Sequence, residues 1–150
     1  MSILWPLALF AGSCIAVQAA MNARLGQIVN NAWLATGYAF LSSFLLVIVL
    51  LYLFNAKTNT IHWLQIPFSS IPWYLWLSCL LSAFGVGSMY WLIPKMGVGT
   101  VMSYALTGQL IMAMLISHFA LFESPQKLIS ITKLIGALLL IIGLVLLNKD

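Results

Sequence analysis

Residues 3–26 read ILWPLALFAGSCIAVQAAMNARLG. The first two-thirds, Ile3 through Val17, could sit in hydrocarbon unaided, and then Gln18 and Asn22 appear four residues apart. On a helix this spacing puts both amides on one face, a turn from each other, and Leu25 or Gly26 continues that face. Lipid cannot satisfy an amide side chain, so the face must look at other protein or at a water-filled cavity. The remainder of the chain supplies four more apolar segments for it to look at.

Composition decides the solvent. Of 150 residues 63% are hydrophobic and 5% charged, where a soluble domain carries about a quarter charged. The mean hydropathy is +1.10. A spanning helix takes about 20 residues, so five use roughly 100 and leave only short connections. The expected fold is therefore all-α: a single bundle of five transmembrane helices, near residues 3–22, 32–54, 72–93, 100–121 and 129–147. The formal charge of +4 comes from six cations and two anions, mostly at helix ends. That pattern anchors a chain in a bilayer and is no nucleic-acid patch. Cys14 and Cys79 fall inside apolar segments, without disulfide or metal-ligand spacing. Ala19-Ala20 after an apolar run invites comparison with a cleaved leader, but no Lys or Arg precedes the run and further spans follow.

Asn30 or Asn31 can cap the second helix, which carries Thr36, Gly37, Ser42 and Ser43. The longest connection, 55–71, contains an apolar segment at 61–66 too short to span, expected at the interface and stopped by Pro67. Pro72 suits a first helical turn, and Trp73, Tyr74 and Trp76 form an aromatic anchor. Residues 94–99 read as a tight turn, 123–127 as another, and the last helix is nearly pure Leu and Ile. With five spans, Lys57, Lys127 and Lys133 fall on one side, and Arg24, Lys95 and Lys149 on the other. No excess orients the chain; it either encodes no orientation or inserts both ways and pairs antiparallel.

Catalytic and cofactor chemistry finds little support. The only acids, Glu123 and Asp150, lie at ends, and no nucleophile triad, metal cluster or phosphate loop is present. No catalytic residue, metal or cofactor is assigned, and the chain does not read as an enzyme. Gln18 and Asn22 admit two uses: glue between helices, or the lining of a solute path. For the path, Gln109 near the middle of helix four is the next polar station, with Tyr104, Thr107, Tyr90 and Trp91 as wall candidates. Neutral amides demand no counter-charge, which suits polar or weakly charged solutes. Gly85, Gly87, Gly136 and Gly143 read as close-packing positions, the last two also as a dimer contact. His118 reads as interfacial or as a proton relay, and Glu123 as a solvated loop acid.

The order Gly12, Gln18, Asn22, Leu25, Gly26 resembles the drug/metabolite transporter superfamily, in particular its five-helix, YdcZ-type branch. The similarity continues through Gly85 and Gly87, Pro94 and Gly97, Gly108-Gln109, His118-Phe119, and Gly136 and Gly143. Glu123 followed by these two glycines is also similar to the end of the EamA-type repeat. Larger relatives contain ten helices in two such halves, so the resemblance implies a half-transporter in a bacterial inner (cytoplasmic) membrane. Two departures stand out. The branch often has an acid before the His-Phe pair and a glycine after it, where this chain has Ser117 and Ala120. Small multidrug relatives exchange protons through a glutamate in the first helix, and this first helix has no acid. Passive exchange, or coupling through His118 or Glu123, remains open.

The sequence is thus expected to encode an exporter or exchanger of polar metabolites or amphipathic compounds. Its partners would be a small-molecule substrate, the lipid bilayer, and a second five-helix chain: a copy, in parallel or antiparallel orientation, or a paralogue. The competing expectation is an accessory or structural subunit without transport of its own; a channel comes third.

Overall fold

The computed structural model describes residues 4–58, 69 and 71–149. The interfacial segment expected at 61–66, with His62, lies outside them, as does the side chain of Lys57. Every regular element among the described residues is helical. The chain forms two units, Met1–Lys95 and Met96–Asp150. The first contains α1 (Leu4–Ile28), α2 (Ala32–Thr58) and a 3-10 turn, Trp73–Leu77, that runs into α3 (Ser78–Met96). The second contains α4 (Val98–His118), a tight turn at Leu121–Glu123, and α5 (Ile131–Leu147). Four segments among the described residues are long and apolar enough to cross a membrane: Pro6–Ile28, Ala32–Phe54, Trp73–Met96 and Val98–His118. The 17 residues of α5 reach about 25 Å at ~1.5 Å each, the lower edge of what spans.

Nearly every large apolar side chain is exposed, Phe10, Phe44 and Leu139 among them. That is what a chain dissolved in hydrocarbon requires. Small residues fill the contacts instead, because without a hydrophobic drive between helices, close backbone approach supplies the attraction. Ala19 and Ala23 of α1 are buried, as are Ala35, Thr36 and Ala39 of α2. A Cβ on Gly26 would stand 3.2 Å from the Ala32 Cα, so α1 and α2 meet there nearly backbone to backbone.

The first helix runs six residues past its expected end at Asn22, since Arg24 and Gln27 are good helix formers and pair along it (2.9 Å). It closes on the Asn pair. Asn30 turns left-handed (φ 54°), its N–H reaching the Gln27 carbonyl and that of Asn31 the Gly26 carbonyl, a Schellman closure. Asn31 then caps α2, its Oδ1 accepting from the N–H groups of Trp33 (3.0 Å) and Leu34 (3.1 Å). The third span also runs beyond 93: Pro94 stands in its last turn, two residues before the helix ends, and supplies no N–H to the Tyr90 carbonyl. The turn expected over 94–99 contracts to Gly97, whose φ of 87° suits glycine alone.

In the second unit α4 stops at His118, short of the expected Leu121, because Ala120 goes left-handed (φ 50°). The hairpin α4–α5 is tied at both ends. Near one end the Lys127 N–H meets the Ser117 carbonyl (2.9 Å). At the other, Asn148 Nδ2 donates to Ser103 Oγ (3.0 Å). Ser130 caps α5 by accepting from the Lys133 N–H, two residues later than the start expected at Ile129.

Candidate functional site

The amide face of α1 borders an open, shallow groove of about 480 Å³ whose described lining residues all belong to this one helix. Phe10, Val17 and Met21 give it apolar walls, and Ser13, Cys14, Gln18 and Asn22 bring the polar atoms. Ser13 spends its hydroxyl proton on the Leu9 carbonyl (3.0 Å), as helix serines do. Cys14 is a free thiol. The groove holds no carboxylate, ammonium or guanidinium among its lining residues.

The two amides that share this groove differ in state. Asn22 is half-buried and its Nδ2 donates to the Tyr90 hydroxyl on α3 (2.9 Å). Tyr90 itself is only 3% exposed, so this pair is a cross-helix tie. Gln18 is exposed and makes no hydrogen bond with any described residue. In hydrocarbon such an amide without a partner is unfavourable by several kcal/mol.

Trp91 does not join Tyr90. Neighbouring residues on a helix point about 100° apart, and Trp91 turns outward to stack under Lys95, whose Nζ lies 3.0 Å from the ring centroid. Gly87, not Gly85, is the close-packing glycine of α3: a Cβ there would stand 2.5 Å from the Trp33 ring. Around Gly85, Gly136 and Gly143 an added Cβ meets nothing within 4 Å.

In the second unit Thr107 and Gln109 separate. Thr107 Oγ1 donates to the Ser103 carbonyl (2.8 Å), and Ser103 is the residue that Asn148 holds, so this face is committed to α5. Gln109, two residues on, points to nearly the opposite side. It is exposed, without a hydrogen bond to any described residue, and Tyr104 is exposed too. His118 belongs to the α4–α5 connection: its Nδ1 accepts from the Ile129 N–H (3.2 Å), and its ring meets Phe119 edge-on. Glu123 is exposed, left-handed (φ 58°), and pairs with no described residue.

Sequence reasoning missed two features here. One is the alanine face of α1 and α2, although Ala19-x-x-x-Ala23 and Ala35-x-x-x-Ala39 carry its signal. The other is Trp33, the ring that Gly87 makes room for, for which the sequence offers no signal.

A family model described as "Putative inner membrane exporter, YdcZ" matches residues 3–146. No curated protein sequence and no solved structure matches the chain.

Proposed function

The chain belongs to the YdcZ family of inner membrane exporters, and we propose that it moves a neutral, hydrogen-bonding, amphipathic solute along the α1 groove. The observation that carries this is Gln18: an exposed amide with no hydrogen bond to a described residue, set beside apolar side chains. Ligand sites have that make-up, apolar surface with a few placed polar groups. Asn22 closes one end of the groove and, with its Nδ2 engaged by Tyr90, offers a carbonyl oxygen. Gln109 is the corresponding free amide of the second unit. With no charge in the groove lining, a strongly cationic solute would find no counter-ion.

Five helices correspond to one half of the ten-helix relatives, so the working unit is taken to be two chains. Inverted repeats about a midplane site are a common transporter plan, and the balanced Lys/Arg distribution is compatible with an antiparallel pair. Gly136 and Gly143, where an added Cβ would meet no described residue within 4 Å, are the proposed contact on α5. Reporter fusions at the carboxyl terminus should then be active on both sides of the membrane; activity on one side only removes the antiparallel pair.

The test of the site is a thermal-shift screen of purified protein against neutral metabolites and lipophilic cations, followed by flux in vesicles for any solute that stabilises it. Gln18→Leu should keep expression and melting temperature while abolishing the ligand response. The accessory-subunit reading draws on the Asn22–Tyr90 tie, which uses one amide as glue. It would be favoured by unfolding of the Gln18→Leu protein, by absence of flux, and by co-purification with a larger partner.

A further inference from the structure

The connection between α4 and α5 combines unfavourable backbone with a fastening that includes one ionisable acceptor. Ala120, Phe122 and Glu123 all take left-handed conformations, with φ of 50°, 55° and 58°. Each is unfavourable for an L-residue with a side chain, and none is glycine. Something must hold this turn in place. Three hydrogen bonds do so by tying 126–129 back to the last turn of α4. The Lys127 N–H meets the Ser117 carbonyl at 2.9 Å. Gln126 Nε2 reaches the His118 carbonyl at 3.4 Å. The Ile129 N–H donates to His118 Nδ1 at 3.2 Å.

The third bond exists only while Nδ1 carries a free lone pair, which fixes the proton of the neutral ring on Nε2. We propose that this connection is a clasp released by protonation of His118. Imidazolium has no acceptor, so a proton on Nδ1 removes the bond and sets two N–H donors against each other. Histidine is the side chain suited to such a change between about pH 5 and 8.

The charged groups around the clasp are few. On α5, Lys133 extends Nζ to the Leu128 carbonyl (2.7 Å) and the Lys127 carbonyl (3.4 Å), so it is fixed in the connection. Lys127 lies in the tied segment, and Ser117 and Phe119 beside His118 are uncharged. The one acid of the connection, Glu123, is exposed and forms no ion pair with a described residue. The clasp is closed at the alkaline end and opens as pH falls. It rests on the second unit alone and holds whether or not the α1 groove carries a solute.

Amide hydrogen exchange on the purified full chain in lipid nanodiscs, between about pH 5 and 8 and corrected for intrinsic exchange, tests this directly. In the unaltered protein, protection of the peptide containing Ile129 should fall about two- to tenfold on acidification, the factor one net hydrogen bond carries. His118→Asn supplies an amide oxygen as a non-titrating acceptor and should hold protection high and independent of pH. His118→Phe should be unprotected across the range; if it does not fold, His118→Asn decides alone. Glu123→Gln should keep the pH dependence. Flat protection in the unaltered protein, pH dependence surviving in His118→Asn, or its loss in Glu123→Gln would each overturn the proposal.

Discussion

Asn22 Nδ2 and the Tyr90 hydroxyl lie 2.9 Å apart, a side-chain bond that joins α1 to α3 across 68 positions of sequence. Cross-helix bonds of this kind contribute on average about 0.6 and at most about 1.7 kcal/mol. Tyr90→Phe and Asn22→Leu should each lower the unfolding free energy in micelles by an amount in that range. The double variant should lose little more than either single one, because each already breaks the shared bond. Full additivity would show that the two side chains act independently.

The ring of Trp33 occupies the space a methyl group on Gly87 would need. Gly87→Ala should therefore destabilise the first unit by about 1–3 kcal/mol, the usual range for overpacking. Trp33→Leu should recover much of the loss. Gly136→Ala meets no neighbour and should leave unfolding of the single chain unchanged. Any effect at that position should appear instead in the fraction of cross-linked pairs.

Removal of Gln18 separates the uses of an amide by sign. A structural amide lowers stability when it is replaced, as Asn22 is expected to do. Gln18 has no hydrogen bond to a described residue to lose, so Gln18→Leu should leave the unfolding free energy of the isolated chain unchanged or raise it by up to about 1–3 kcal/mol. Denaturant titration in micelles reads the difference.

Ala120 stands at φ 50° and ψ 35°, a region that costs an L-residue roughly 1–2 kcal/mol and glycine almost nothing. Part of that gain is offset by the greater freedom of glycine in the unfolded chain. Ala120→Gly should stabilise the protein by about 0.5–1 kcal/mol, read as a higher melting temperature.

Hydropathy made the helices legible, because hydrocarbon imposes a simple rule on length and composition. Their ends were less so. The first helix reads as ending near Asn22 although Arg24 and Gln27 pair along its continuation, and Pro94 reads as the start of a turn although the helix runs two residues beyond it. The site was half visible. Gln18 and Asn22 share a face by spacing alone, yet nothing in that spacing says that one is bonded and the other free. The difference is made by Tyr90, far along the chain. Tyr90 and Trp91 could have been separated beforehand, since adjacent helical positions face different ways. Gly85 and Gly87 lie on opposite faces for the same reason, and only the position of Trp33 reveals which is packed.

The seam between α1 and α2 has a thermodynamic consequence of its own. Ala19, Ala23, Gly26, Ala35 and Ala39 have no rotamers to surrender, so bringing these two helices together freezes almost no side-chain entropy. Thr36 is the exception, and its hydroxyl is already fixed to the Ala32 carbonyl of its own helix (2.9 Å). Nor do these methyl groups interlock as larger knobs would. The longitudinal register of the two helices is therefore set at one end, where Asn30 and Asn31 close α1 and open α2, and the rest of the contact follows from that turn.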